Sequence, residues 1–340
     1  MGFMSSINGC SRPRDAARAL AFAAPLAIGV LVSSALPARA DEAGVSFWLP
    51  GIYGSLASVP SVPGWSIGTF NYYTSVDAAK GVNFERGGAI EAGVNSRVDF
   101  QYFAPSYVFA NPVLGGQASV SVASLVGNNA TSIFGTLTGP GGATLSGSRS
   151  DSLFGVGDLY PAASLRWNQG VNNFSTYLTG DIPVGSYDSS RLANLGIGHG
   201  AIDFGSGYTY FNPQTGHEFS AVIGATYNFM NTATNYQNGV DAHLDWGVSQ
   251  FLSPSVQVGA VGYVYDQITG DSGSGAKLGS FESRVIGIGP QIGYLFPAGD
   301  MQGYVNLKGY GEFDAHDRAS GYNVWLTLSF SPKAPTSAKN

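Results

Sequence analysis

The sequence predicts an all-β protein, an antiparallel up-and-down transmembrane β-barrel of about twelve strands. Three observations carry this. Of 340 residues 48 are Gly, 13% are aromatic and only 11% are charged. Turn and strand formers are therefore abundant, while Lys and Glu, which clothe surface helices, are scarce. Apolar and polar residues alternate with period two over many short segments, and the connections between those segments alternate in length. At 44% hydrophobic residues the chain is not disordered. Its 16 basic against 22 acidic residues, a net charge of −6, speak against nucleic acid as a partner.

Residues 1–40 read as an export signal. Arg12, Arg14 and Arg18 precede an apolar run from Leu20 to Leu36, and Ala38-Arg39-Ala40 supplies a small-residue cleavage site before Asp41. Pro25 and Gly29 interrupt the run, which argues against a retained anchor. Removal takes four Arg and one Asp, leaving the mature chain at −9 instead of −6. Cys10 leaves with the signal, which excludes disulfides, thiolate chemistry and Cys-ligated metal. No later run approaches the roughly 18 apolar residues of a membrane helix. An exported chain of this composition is then a secreted sandwich or an outer-membrane barrel.

Residues 41–64 are too apolar for a tail and too rich in Pro and Gly for a long strand. The segment is expected to fold into the lumen as a plug. Phe47, Trp48, Leu49, Pro50 and Tyr53 would present its aromatic surface to an apolar solute, much as the hatch does in the long-chain fatty-acid channel. A tether packed on the barrel base is the alternative.

The barrel is expected over residues 65–330, with a tail at 331–340. Its strands read as 65–75, 95–110, 117–126, 152–167, 172–183, 200–211, 217–230, 239–251, 255–268, 280–296, 301–314 and 321–330. Phe219, Ala221, Ile223, Ala225 and Tyr227 oppose Ser220, Gly224, Thr226 and Asn228. Ile286, Ile288, Ile292 and Tyr294 oppose Gly287, Gly289, Gln291 and Gly293. Tyr322, Val324, Leu326, Leu328 and Phe330 oppose Asn323, Trp325, Thr327 and Ser329. Val98, Phe100 and Tyr102 oppose Arg97, Asp99 and Gln101. A sandwich alternates too, but it has no reason to interleave short connections (111–116, 168–171, 212–216, 252–254, 297–300) with longer ones (76–94, 127–151, 184–198, 269–279) and two of intermediate length (231–238, 315–320). A barrel with both termini in the periplasm does. The Gly/Ser/Thr-rich stretch 127–151 is expected to be an exposed loop.

Twelve strands lie between eight, whose interior fills with side chains, and sixteen, which enclose an aqueous channel. Strand parity directs Arg97, Asp99, Asp158, Arg166, His243, Asp245, Lys308 and Glu312 inward. Unpaired charges in a narrow lumen are costly, so cross-lumen ion pairs and a polar network are expected. They would either hold the interior together or line a selective path for solute. A register slip of one residue would reverse every assignment.

Signals for catalysis are weak, and the chain is read as no enzyme, with no cofactor and no metal. Gly270-Asp271-Ser272-Gly273 matches the tetrapeptide around a trypsin-like serine, but it lies in a Gly/Ser loop and no His or Asp has supporting context. Gly287-x-Gly289 lacks the helix a dinucleotide loop needs. His199, His217, His243 and His316 lack metal-ligand spacing.

Several stretches resemble one family. They are Phe47-Trp48-Leu49-Pro50-Gly51 through Pro63-Gly64-Trp65, Gly155-Val156-Gly157-Asp158, Tyr265-Asp266-Gln267-Ile268-Thr269-Gly270-Asp271-Ser272-Gly273, and Ile286-Gly287-Ile288-Gly289-Pro290-Gln291-Ile292-Gly293-Tyr294. Over about residues 45–330 the chain resembles the phenol-degradation MetA-pathway family of outer-membrane β-barrel transporters. The resemblance implies a barrel linked to uptake of aromatic or other hydrophobic compounds and brings no agreed site residues. The expectation is a channel in the bacterial outer membrane for passive uptake of such compounds, with membrane lipid and a small hydrophobic solute as its partners. The alternative is a structural or adhesive barrel that transports nothing.

Overall fold

The structure, a computed structural model, describes residues 46–83, 89–277 and 279–333. The expected export signal and residues 334–340 of the tail lie outside them. Thirteen strands are described: β1 (Gly64–Asn83), β2 (Ala89–Val108), β3 (Gln117–Thr138), β4 (Thr144–Val156), β5 (Tyr160–Gln169), β6 (Asn172–Asp181), β7 (Ala201–Asn212), β8 (His217–Asn228), β9 (Asp241–Phe251), β10 (Val256–Gln267), β11 (Arg284–Ala298), β12 (Met301–His316) and β13 (Ser320–Pro332). From β5 to β13 each strand pairs antiparallel with the next. β1 pairs with β13 and β2 with both β1 and β3, so twelve strands close a ring and β4 adds to β3 outside it. Closure leaves the ring of twelve strands without an open edge, which hydrocarbon demands.

The expected strand 152–167 is two strands, β4 and β5, broken at Gly157–Leu159. A Cβ on Gly157 would lie 2.5 Å from the Leu125 side chain, so the backbone can pass here only without one. The break turns Asp158 inward, where it is buried.

The barrel unit comprises the described residues up to Ala78, Val94–Ser132 and those from Ser150 onward. Residues 79–93 and 133–149, the hairpin ends of β1–β2 and β3–β4, form a second compact unit. The expected loop 127–151 is therefore mostly strand, and β1 runs to Asn83 where a loop was expected from Val76. In β3 and β4 Ser and Thr fall on both faces, so nothing alternates and the stretch reads as loop in the sequence.

One face of the ring is apolar and exposed. On β13, Tyr322, Val324 and Leu326 are 50%, 38% and 45% exposed, while Asn323 and Trp325 are buried. On β8, Phe219, Ile223 and Tyr227 point out, and Glu218, Ser220, Val222 and Thr226 are buried. A contiguous apolar surface of this kind suits lipid, not water. Aromatic clusters edge it at both ends. Trp65–Tyr107 and Tyr294–Phe296 lie toward the short turns, and Tyr73–Tyr322 and Tyr227–Phe229 toward the other end. The run from Tyr322 to Phe330 matches the roughly 9–11 residues a tilted membrane strand needs.

The core is the lumen. Trp48, Phe70, Phe100, Tyr177, Tyr263, Tyr265, Tyr310 and Trp325 pack there. Inward glycines make room for these rings: a Cβ on Gly287 would meet the Tyr263 ring at 2.3 Å.

Candidate functional site

Residues 46–63 form no strand, so their backbone polar groups have no ladder partner and must find others. The inward side chains of the barrel supply them. Gly51 N and Tyr53 N donate to the two carboxylate oxygens of Asp245, at 2.9 and 3.1 Å. Leu56 N donates to Glu218 Oε1 at 2.9 Å, Ser58 N to Thr209 Oγ1 at 3.0 Å, and Ser61 N to Gln117 Oε1 at 2.9 Å. Lys308 Nζ donates to the carbonyls of Gly51, Ile52 and Tyr53 at 2.5, 3.0 and 3.1 Å. Asp245 and Lys308 thus close on one turn from opposite chemical sides. Gly51 sits in that turn with φ of +89°, and a Cβ there would lie 2.9 Å from both the Tyr263 and Tyr310 rings.

The side chains of the segment face the other way or pack on the core. Trp48 stacks on His243, with ring centroids 3.6 Å apart and planes 13° apart. His243 Nε2 lies 2.9 Å from Asp203 Oδ2, which also accepts the Thr226 hydroxyl at 2.6 Å. Tyr53 and Tyr177 lie 5.8 Å apart, and Phe47 and Tyr160 6.1 Å apart. Burial pushes the Tyr53 phenol up to about 12, so it stays neutral at any working pH.

Between this segment and the wall made by β1, β2, β3, β5 and β6 lies a cavity of about 580 Å³. Trp48, Leu49, Ile52 and Tyr53 line one side, and Val98, Phe100, Tyr102, Leu125 and Tyr160 the other. Small hydroxyls interrupt the apolar surface at Ser66, Ser106, Ser119, Ser121 and Ser164. The lining reaches Ser331 near the short-turn end, and Asn194, Leu195 and Ile197 at the opposite end.

Those last three residues belong to the connection 182–200, which folds inward; Leu192, Ala193, Leu195, Ile197 and His199 are all buried. Asp158 holds it, accepting from Gly185 N at 2.6 Å and Ile197 N at 2.8 Å. Arg191 donates to Asp151 at 2.8 and 3.1 Å, which raises the guanidinium above its ordinary value. Ser190 caps Asp188 with its backbone N–H and hydroxyl, both at 2.8 Å, and holds that carboxyl below its ordinary value.

Of the eight charges expected inward, six are. Asp158, His243, Asp245 and Lys308 are buried. Arg166 lines the cavity, and Glu312 accepts from the Tyr263 hydroxyl at 2.7 Å and from Gly321 N at 2.9 Å. Arg97 and Asp99 are not inward: both are exposed, and the inward residues of β2 are Val98, Phe100 and Tyr102. The lumen is apolar on this side, so the polar parity is the outer one. The expected cross-lumen ion pairs are also corrected. Among the described residues, only His243 of the eight contacts a side chain of the opposite type, Asp203. Asp158, Asp245 and Lys308 serve backbone groups instead.

Sequence reasoning missed Asp203, Glu218, Thr209 and Gln291, whose Nε2 donates to the Ser55 hydroxyl of the segment at 2.7 Å. Glu218 and Ser220 share a parity, so the alternation already read on that strand contained the signal. The Asp271 carboxylate of the serine-like tetrapeptide is spent on loop structure, accepting from Gln267 Nε2 at 2.7 Å and Gly239 N at 3.2 Å.

The family model "Putative MetA-pathway of phenol degradation" matches residues 63–328, nearly the whole barrel. The chain belongs to that family. The match begins where the N-terminal segment ends. Among solved structures the fold is similar to that of the COG4313 outer membrane channel from Pseudomonas putida F1, with a TM-score of 0.62 and 13% identity over 84% of this chain and 99% of that one. A weaker likeness, TM-score 0.43 at 9% identity over 88% of this chain and 99% of the other, is to the transport unit of the autotransporter AIDA-I from Escherichia coli. No curated protein matches. The MetA-pathway family member described here thus has the fold of an outer-membrane β-barrel.

Proposed function

We propose that this protein is an outer-membrane channel for passive uptake of small hydrophobic or aromatic compounds, with residues 46–63 as its plug. The observation that carries the reading is the cavity of about 580 Å³, walled by aromatic and aliphatic side chains and running beside the segment. Its size lies within the roughly 300–1,000 Å³ typical of small-molecule sites. The segment divides the lumen chemically. Its backbone takes up the charges on β8, β9 and β12, and its apolar side chains complete the opposite space. A solute in that space meets ring faces and scattered hydroxyls, which lowers the cost of leaving lipid without trapping an apolar molecule. An export signal at residues 1–40 would deliver the chain, and both termini would then lie on the periplasmic side.

The test needs a membrane that apolar solutes cross slowly by themselves, so it uses intact cells with a lipopolysaccharide leaflet. Uptake of a radiolabelled monoaromatic is compared in otherwise identical cells with and without the protein. Faster initial uptake with the protein supports the channel. Equal rates, with the protein present and folded in the outer membrane, would leave a structural barrel.

A further inference from the structure

The cavity is mostly apolar with scattered hydroxyls and amides, yet it also contains one charge. Arg166 is the one charged side chain among the described residues that line it. Among those residues Arg166 has no ion-pair partner, and its Nε is buried without a hydrogen-bond acceptor. Its register neighbours across the ladders are Gln117 on β3 and Ser175 on β6, neither of them acidic. Gln117 is already committed to Ser61 N at 2.9 Å, and the Ser175 hydroxyl to Ser58 at 2.8 Å. The nearby lumen carboxylates engage other groups: Asp245 holds Gly51 and Tyr53, Glu218 holds Leu56 and Ser220, and Asp203 holds Thr226 and His243, while their remaining oxygens Glu218 Oε2 and Asp203 Oδ1 make no hydrogen bond to Arg166.

Arg166 is half-buried, but its Nε–H is buried and unmet, which is expensive because its desolvation is not repaid by a partner. Glu and Asp are the usual remedy, and none of the described residues lining the cavity is acidic. A second donor on the same cavity, Trp48 Nε1, is also buried without an acceptor. Both of these unpaired groups are donors. An apolar solute that brings its own anionic acceptor fills both needs at once.

We propose that this cavity binds monocarboxylates with an aromatic or aliphatic body, the carboxylate accepting from the Arg166 guanidinium and the body lying along the apolar part of the lining. Arg suits this role because its planar fork matches a carboxylate and stays charged at every relevant pH. The proposal rests on the cavity being the solute path, and narrows the solute from hydrophobic in general to amphiphilic anions.

The test is calorimetric titration of the full-length protein in detergent at neutral pH with benzoate and with its neutral isostere benzamide. Benzoate is expected to bind at least about tenfold more tightly, the scale of one charge-assisted hydrogen bond. Arg166→Gln should bring benzoate down to the benzamide level and leave benzamide unchanged, and Arg166→Lys should restore part of the preference. Folding of each variant is checked by the heat-dependent shift in gel mobility. The wild-type comparison needs no variant, so it decides the matter even if Arg166→Gln does not fold. Equal affinities in the wild type, or a benzoate preference that survives Arg166→Gln, would overturn the proposal. Benzoate preference without cellular uptake would keep the site and remove the channel; uptake without benzoate preference would keep the channel and remove the site.

Discussion

The clasp on the Gly51–Tyr53 turn gives the most quantitative prediction. Lys308 alone donates three hydrogen bonds to it, and Asp245 accepts two. Hydrogen bonds to charged groups contribute about 1.5–3 kcal/mol each where water is excluded. The three from Lys308 share one ammonium, and water entering the lumen can replace part of them. The net loss in Lys308→Met is then about 3 kcal/mol, equivalent to about a hundredfold shift of the segment from docked to undocked. Single-channel recording in planar bilayers reads this directly. The wild type should show a low, steady current, and Lys308→Met should show openings whose summed duration rises about a hundredfold. Asp245→Ala should behave alike. The double variant should fall short of the product of the two, because both side chains act on one turn. A folded Lys308→Met barrel with wild-type current would refute the reasoning, since the segment would then be held by something other than this clasp.

Three other substitutions test neighbouring parts of the account. Gly51→Ala leaves every charge in place but forces a Cβ into the Tyr263 and Tyr310 rings at positive φ, so it should also raise conductance, at a cost of about 1–3 kcal/mol. Trp48→Ala removes the stack on His243 and should lower the temperature at which the barrel loses its heat-dependent gel shift, by the equivalent of about 3–5 kcal/mol. Asp158→Asn takes away a charged acceptor from Gly185 N and Ile197 N, and hydrogen exchange should quicken about tenfold or more across residues 185–197 while β8 and β9 keep wild-type protection.

The outward surface was the legible part of the sequence. Lipid demands apolar residues at every second position along the span, so β8, β11 and β13 could be read strand by strand and in the right parity. The same rule misleads on β2, where the lumen is as apolar as the lipid. There Val98, Phe100 and Tyr102 face in, and polarity no longer marks the inside. The end of β3 was hidden for the opposite reason: with Ser, Thr and Asn on both faces, nothing alternates. The connection 182–200 carried a faint signal in Leu192, Leu195 and Ile197, apolar residues inside an otherwise Gly- and Ser-rich stretch. What Asp245 and Lys308 bind could not be read at all. Their partners are backbone atoms of a segment almost 200 residues or more away in sequence, and backbone groups leave no mark on composition.

The central claim is that solute passes through the cavity beside the segment. No described residue is a cysteine, so a single one can be introduced as a handle. Ala162 lines the cavity on β5. Ala162→Cys is labelled with a bulky maleimide in intact cells, and uptake of a radiolabelled monoaromatic is measured before and after. The account predicts that uptake is close to wild type before labelling and falls to that of cells lacking the protein afterwards. Unchanged uptake at full labelling would contradict it, because the cavity would be blocked and the solute would still pass.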